Sequence, residues 1–259
     1  MSNYWKDRLA ESQTKLSAKS IKVIEKQMKK YYGTAMKNAI SDFESVYNKI
    51  LAQQAQGKEI TPAHLYQMDA YWKMQAQLNK ELQKLGDRQI SVLSRIFETN
   101  YFEVYYSINI KGAEAFTTID TAAVKQLINQ VWVADGKNWS QRIWKNTEKL
   151  LETLNEELVS CVVTGKKTTE LKKKLQERFG VSYSQADALA RTEIAHIQTQ
   201  AAQQRYKDYG IGKVQFWADP DERTCPECGK LHKKIYNVGE HVPCPAHPRC
   251  RCCVVPVIE

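Results

Sequence analysis

The chain has 259 residues, 42% of them hydrophobic, and a formal net charge of +9 at pH 7. This length and apolar content allow a sizeable core in one large domain or two, and they exclude a wholly disordered chain. The sequence has no run of 18 apolar residues, so we expect no membrane-spanning helix and no membrane partner. The basic balance favours an acidic partner such as nucleic acid, although a solvated basic surface explains it as well.

Residues 1–164 predict a helical N-terminal domain. Its first long helix, which Gly33 need not break, is indicated by apolar residues at steps of three and four: Met28, Tyr32, Met36, Ile40, Phe43, Tyr47 and Ile50. Thr61 and Pro62 predict the start of a second helix, because threonine caps helix N-termini and proline suits the first turn. We expect that helix to end near Gly86 and a third helix to follow directly.

Lysines are frequent along the first helix and just before the apolar stripe: Lys15, Lys19, Lys22, Lys26, Lys29, Lys30 and Lys37. A solvated helix face accounts for this pattern, and a phosphate-binding face is the alternative.

Residues 165–259 predict a second domain. A short basic helix is expected to end at Gly180, and an alanine-rich helix to cover residues 183–209. After Lys213 the pattern changes to three short alternating segments, which predict a small antiparallel sheet.

The C-terminal tail contains six of the seven cysteines. Cys225, Cys228, His247 and Cys250 form the pattern C-x2-C-x18-H-x2-C, in which two tight turns each offer two ligands. Two such turns can complete a tetrahedron around zinc. Cys252 is an alternative ligand to Cys250, because both side chains would point to the same face of an extended segment. Arg251 could neutralise thiolate charge or pair with Asp219 or Asp221.

Four protein ligands predict a closed, structural Zn²⁺ site rather than a catalytic one. Cys244 and His241 lie close by, while Glu227 and Glu240 are candidate general bases by proximity only. The tail lacks a His-Glu-x-x-His pattern, and its one asparagine, Asn237, precedes His241, so a His-Asn-His nuclease motif does not form. The fold class is therefore mainly α, with long N-terminal helices followed by an α+β domain that has a small antiparallel sheet and a zinc-clipped tail.

The N-terminal sequence lacks the apolar stretch of a signal peptide. We therefore expect a reducing cytoplasm, where clustered cysteines bind metal, and disulfides are the alternative. Cys161 is expected to be a small buried apolar residue. Loss of the metal is expected to unfold the tail and to leave the N-terminal helices largely intact.

Arg191, Glu193 and His196 fall on neighbouring turns of the alanine-rich helix. An ion pair that supports the fold is the first interpretation, and a catalytic role is the second. Trp132, Trp139 and Trp144 are expected to pack between helices. The sequence contains no glycine-rich phosphate loop and no nucleophile elbow, so we predict that the protein is not an enzyme.

Three blocks of the C-terminal domain resemble one family. They are Ala190-Arg191-Thr192-Glu193, Asp221-Glu222-Arg223-Thr224-Cys225-Pro226-Glu227-Cys228 with Leu231, and His247-Pro248-Arg249-Cys250-Arg251-Cys252. Together they are similar to the phage Mu F-like minor head protein, or phage head morphogenesis, family over about residues 165–257. The family commonly has a glycine shortly after Leu231, whereas His232-Lys233-Lys234 stands here.

The resemblance implies a minor capsid protein of a tailed phage, inside the virion near the portal vertex and in the host cytoplasm during assembly. It implies the portal protein as a partner and the double-stranded DNA genome as a second one, with no small-molecule substrate. Some members carry an additional C-terminal toxin or transferase domain, and that activity is not expected here.

Two other functions compete with a head protein: a zinc-containing DNA-binding regulator, and a metal-dependent nuclease. The long helical N-terminal half favours an assembly protein over a regulator, which would more usually show a compact reading helix. The missing catalytic pattern weighs against the nuclease.

Overall fold

A computed structural model describes residues 4–58, 60–110, 118–218, 222 and 224–258. In chain order its elements are α1 (Tyr4–Ala55), α2 (Pro62–Gln67), α3 (Asp69–Ser107), α4 (Thr121–Ile128), α5 (Trp139–Thr164), α6 (Thr168–Asp208), β1 (Lys213–Trp217), α7 (Pro226–Leu231), β2 (Ile235–Asn237) and β3 (Cys253–Pro256). None of the helices in these ranges is long and apolar enough to cross a membrane. The predicted fold class is confirmed, since long helices precede a small sheet and a tail with clustered cysteines.

The N-terminal helices follow local signals in the sequence. α1 passes through Gly33 without a break, and its predicted stripe is buried from Met28 to Ile50 except for the half-buried Met36. Thr61 is the N-cap of α2, and its hydroxyl accepts a hydrogen bond from the backbone N–H of His64 at 3.4 Å. Capping and apolar periodicity therefore place the start of α2 and the buried face of α1.

Two predicted helix ends at glycines are wrong, and the predicted second helix is interrupted at Met68, which separates α2 from α3. α3 runs unbroken through Gly86, and α6 runs unbroken through Gly180. In each helix, buried residues continue at steps of three and four past the glycine: Leu78, Leu82, Leu85, Gln89 and Val92 in α3, and Leu171, Leu175, Phe179, Ser182, Ala186 and Ala190 in α6. Packing of a continuous stripe outweighs the cost of one glycine, about 1 kcal/mol relative to alanine.

The first compact unit comprises Met1–Glu25, Val92–Trp139 and Ala188–Glu259. Its sheet has the order β2-β1-β3, and both strand pairs are antiparallel. A buried cluster forms from Trp217 of β1 with Cys253 and Val255 of β3, and Ala10 of α1 packs against it. The first part of α1 therefore contacts the C-terminal sheet.

The second compact unit comprises Lys26–Ser91 and Ser140–Asp187. The Tyr47 hydroxyl oxygen lies 2.9 Å from the carbonyl oxygen of Cys161, which is fully buried, as the sequence predicts. Gly86 lies directly against the indole of Trp144. This contact explains why a buried glycine is accommodated in the middle of α3.

The predicted boundary between residues 164 and 165 falls in the turn between α5 and α6. Each compact unit draws residues from both sides of it. The division into domains 1–164 and 165–259 is a division of the sequence, and it stays a prediction.

Replacing Gly86 with alanine is expected to lower the free energy of unfolding by about 1–3 kcal/mol. An added Cβ would lie 2.5 Å from Cζ3 of Trp144, so the ring must move and lose packing. Gly180→Ala is the matched control, because a Cβ there meets no atom within 4 Å. It should raise the free energy of unfolding by about 0.4–1 kcal/mol. Urea denaturation checks both variants, and equal stabilisation of the two would contradict the packing argument.

Candidate metal centre

The short helix α7 positions the first pair of predicted ligands. Cys225 is its N-cap residue in extended conformation, and Pro226 occupies the first turn. The Cys225 sulfur accepts a hydrogen bond from the backbone N–H of Cys228 at 3.4 Å. Proline suits this first turn because it has no N–H to satisfy. The turn brings the sulfurs of Cys225 and Cys228 within 4.8 Å of each other.

The second pair lies on a tight turn that is fixed to α6. The backbone N–H of Cys250 donates to the carbonyl of His247 at 3.2 Å. Between them Arg249 adopts a φ of 62°, which is uncommon for a residue with a side chain. Its backbone N–H donates to the Thr192 hydroxyl at 3.1 Å. This contact holds the turn, and with it His247 and Cys250, on the helix.

The two pairs converge on one another. His247 Nε2 lies 3.3 Å from Cys225 Sγ and 3.2 Å from Cys228 Sγ, and Cys228 Sγ lies 3.7 Å from Cys250 Sγ. Metal bonds of about 2.3 Å to sulfur and about 2.0–2.1 Å to nitrogen give tetrahedral edges of about 3.8 Å and about 3.5 Å. The distances agree with these edges to within about 0.3 Å. The cluster can therefore hold a metal ion.

The potential ligands form two overlapping groups that share Cys228. One contains Cys225, Cys228 and His247, the other contains Cys228, Cys250 and Cys252, and the ligand atoms within each group lie within 4.8 Å of one another. Cys228 is only 2% exposed, so it lies inside the cluster rather than at its rim. Both Cys250 and Cys252 reach Cys228, and the sequence-based choice between them stays open.

The imidazole of His247 is oriented for metal binding. Its Nδ1–H donates to the carbonyl oxygen of Pro248 at 2.9 Å. A proton on Nδ1 leaves Nε2 with its lone pair, and Nε2 is the atom that faces the two sulfurs. This is the tautomer that a metal-binding histidine requires.

The thiols differ in how readily they ionise. The backbone N–H of Cys228 lowers the pKa of Cys225, and a hydrogen bond from the Cys252 thiol lowers the pKa of Cys250 to about 5. The same hydrogen bond raises the pKa of Cys252, and burial raises the pKa of Cys228 to about 12. Metals bind the thiolate, and a bound cation would offset the burial cost at Cys228.

Other residues near the cluster have different roles. The Cys244 thiol donates to the carbonyl oxygen of Cys252 at 3.3 Å, and Glu240 accepts from the Asn237 amide at 2.9 Å. Neither Cys244 nor His241 joins a metal-binding group within the described part of the chain. Asp219 and Asp221, the predicted partners of Arg251, lie outside the described residues.

A comparison with known protein families finds a match. Residues 152–255 match the family described as Phage Mu protein F like protein. This match supports the family resemblance that the sequence motifs indicate. The matched segment contains the second half of α5, all of α6 and α7, nearly all of the sheet and the whole cysteine cluster.

A curated relative is also similar to the chain. It is the NAD(+)--arginine ADP-ribosyltransferase EFV of Enterococcus faecalis (strain ATCC 700802 / V583), 26% identical over 182 residues. The alignment covers 62% of this chain and 37% of the relative, so the chain spans little more than a third of that protein's length. No solved structure matches the chain at a significant level.

The turn after Leu231 adopts a left-handed conformation without a glycine. Lys233 adopts a φ of 68°, the left-handed region that glycine occupies without strain. Its backbone N–H donates to the carbonyl of Phe216 at 2.8 Å, and the Phe216 N–H donates to the carbonyl of Lys234 at 2.9 Å. These bonds to β1 hold the left-handed turn in place of a glycine.

Side chains of the Ala-Arg-Thr-Glu block of α6 bind other segments of the chain. Arg191 pairs with Glu25 of α1 rather than with Glu193. The buried Glu193 carboxylate accepts from the indole N–H of Trp132 at 2.9 Å, and the Trp132 ring stacks on His196 at 4.1 Å between centroids. An ion pair that supports the fold is present, with a partner that the sequence does not identify.

Sequence reasoning misses the residues that hold the tail in place. Gln13 and Tyr206 both donate to the carbonyl oxygen of Val254, at 3.5 Å and 3.2 Å. Thr192 accepts from the turn before Cys250. These residues carry no motif, and only the fact that Thr192 lies inside the Ala-Arg-Thr-Glu block offers a signal.

Stability should depend on pH through His196. Burial lowers the pKa of His196 to about 4 from 6.5, with a smaller effect of nearby His241. Between these values the unfolded chain takes up a proton that the folded chain does not, so stability falls as pH falls, by up to about 3 kcal/mol. We expect His196→Gln to flatten this part of the pH profile of unfolding, measured with metal chelated. An unchanged difference between pH 7 and pH 4 would show that His196 is protonated in the folded protein.

Proposed function

We propose that the protein is a minor head morphogenesis protein of a tailed phage with a structural zinc ion in its C-terminal tail. The match of residues 152–255 to the Phage Mu protein F like family carries the first part. The close approach of Cys225, Cys228 and His247, with Cys250 beside Cys228, carries the second. The relative's transferase activity is not carried over, because so little of that protein is spanned.

The proposed ligands are Cys225, Cys228, His247 and Cys250, with Cys252 as the alternative to Cys250. Two sulfurs come from α7, and the other ligands come from the turn on α6 and the segment that enters β3. A zinc ion there would join α7 to β3, which are separated by a long polar stretch of chain. Four protein ligands leave no open position for water, so the proposed site is structural and the protein is not an enzyme.

The structure extends the expected consequence of metal loss to the first turns of α1. The Lys6 ammonium donates to the Gln215 side chain of β1 at 2.8 Å, and Ala10 packs on the cluster of Trp217, Cys253 and Val255. A tail that loosens therefore removes packing from this part of α1. The first turns of α1 are therefore the expected exception to N-terminal helices that stay largely intact.

Cys228→Ser is expected to reduce bound zinc from about one ion per chain to near zero, because Cys228 belongs to both ligand groups. Amide exchange should speed up in residues 224–258 and in residues 6–17, while Lys26–Ser91 stays protected. Cys161→Ala is the matched control, since it removes a buried thiol far along the chain and should keep its zinc. Elemental analysis and hydrogen-exchange mass spectrometry give both readouts.

Two results would count against the zinc site. If wild-type protein purified without chelators contains no zinc, the proposed zinc site is wrong. A Cys228→Ser variant that keeps both its zinc and its exchange pattern would show that the cluster is not where the metal binds.

We propose the portal protein and the double-stranded DNA genome as partners, with the chain inside the capsid near the portal vertex and in the host cytoplasm during assembly. Support comes from the Mu F-like family and from the basic net charge of +9. A regulator would instead remain in the cytoplasm, and a nuclease would cleave DNA in the presence of the metal.

Mass spectrometry of nuclease-treated particles that carry this gene tests the location. We expect peptides of the chain in mature heads, at low copy relative to the major capsid protein, and in heads separated from their tails. Absence from heads with abundance in infected cytoplasm would favour the regulator. Metal-dependent cleavage of plasmid DNA by the purified chain, lost in Cys228→Ser, would favour the nuclease.

A further inference from the structure

One face of α1 in the second unit carries only positive side chains. Lys26, Lys29, Lys30 and Lys37 are all exposed. At 3.6 residues per turn they fall within an arc of about 100° around the helix. We call these four residues the lysine face. From Lys26 to Lys37, the only other residue inside that arc is Gly33.

The lysine face lacks the acidic partners that some exposed lysines of this unit have. Lys149 pairs with Glu152 at 3.1 Å, Lys166 with Glu170 at 3.5 Å, and Lys172 with Glu44 at 3.9 Å. No ion pair joins the lysine face to an acidic side chain among the described residues. Lysines four residues apart repel one another on a helix. The face therefore has unbalanced charge that a polyanion would neutralise.

Gly33 lies at the centre of the lysine face. A glycine inside a helix lowers its stability relative to alanine. No contact in the protein requires this glycine, because an added Cβ would meet no atom within 4 Å and the backbone is helical. A missing side chain at this position allows another molecule's backbone to lie directly on the helix between the lysines.

We propose that the lysine face binds the phosphate backbone of double-stranded DNA, without reading its sequence. From Lys26 to Lys37 the helix rises about 16 Å, and a duplex of that length carries about 10 phosphates. The arc contains no apolar or aromatic side chain that could anchor a protein, and protein interfaces are depleted in lysine. This inference rests on the proposed function only in that the packaged genome is the DNA to be bound.

The test compares two triple variants of the full chain that lose the same charge. Lys26→Gln, Lys30→Gln and Lys37→Gln remove three members of the lysine face. Lys149→Gln, Lys166→Gln and Lys172→Gln remove three ion-paired lysines from the same unit and serve as the control. Fluorescence anisotropy with a short random-sequence duplex measures the affinity at a series of salt concentrations, and circular dichroism checks the fold.

The expected result is a loss of salt dependence in the lysine-face variant. The slope of log affinity against log salt should fall by about 2.7 for three lost phosphate contacts. The control triple should change the slope by less than about 1. Equal changes in the two variants would overturn the proposal, because they would reflect net charge rather than a surface.

Gly33 provides a second, charge-neutral test. Gly33→Leu should weaken DNA binding by about tenfold, since the leucine side chain would stand between helix and phosphates. Gly180→Leu is the matched control, because Gly180 is also exposed, helical and open on its outer side, and should bind as the wild type. Unchanged binding in Gly33→Leu would contradict the close approach.

The remaining outcomes are also decisive. Wild-type binding to poly-glutamate but not to the duplex would overturn the DNA proposal in favour of an acidic protein partner. DNA binding by a chain that is absent from phage heads would support the lysine face and contradict the proposed location, so the two failures are distinguishable.

Discussion

The outer edge of β3 is the place on which the C-terminal part of the molecule depends. Its Val254 carbonyl would face solvent in an isolated three-stranded sheet, and an unpaired strand edge invites pairing with another chain. Gln13 and Tyr206 both donate to that carbonyl, and both residues are buried. Side chains of α1 and α6 therefore satisfy a carbonyl that a fourth strand would otherwise pair with. The cysteines that precede β3 lie next to this edge in the chain, and Thr192 of α6 fixes the turn before Cys250.

The cysteine cluster is a consequence of this arrangement as well as a support for it. Thr192 fixes the turn before Cys250, and Cys228 lies on a six-residue helix that is too short to be stable alone. Neither element has a core of its own. A metal ion that joins them would restrict the unfolded chain and hold two marginal segments together, which is how small metal sites contribute to folding.

Much of this fold could be predicted from local patterns, and the exceptions have physical reasons. The apolar stripe of α1, the cap at Thr61 and the three strand segments each depend on neighbouring residues, so one sequence suffices to find them. The ligand spacing is local in the same sense. The role of Gly86 could not be predicted from its neighbours, because Trp144, which packs against it, is distant in the chain. The glycine suggests a helix end, whereas in the structure it is a packing position within α3.

Contacts between distant segments are the other part that the sequence does not disclose. Nothing near Glu193 indicates that Trp132 donates to it, and nothing near Gln13 indicates that it reaches β3. Such contacts join residues of ordinary type without a fixed spacing. Residue type alone gave Arg191 and Glu193 as a plausible pair, whereas the chain path brings Arg191 to Glu25 instead.

The distribution of surface charge is also not predictable from the sequence alone, and the structure reveals which lysines form ion pairs. The sequence contains 38 basic and 29 acidic residues, and its lysine runs look alike wherever they occur. The structure separates lysines that are balanced by carboxylates, such as Lys166 and Lys172, from those of the lysine face. An exposed ion pair contributes little to stability. A row of lysines without acidic partners can bind the phosphates of a polyanion and release its counterions. In the proposal made above, the clustering of unpaired lysines on one face of α1, rather than the net charge, marks the binding surface.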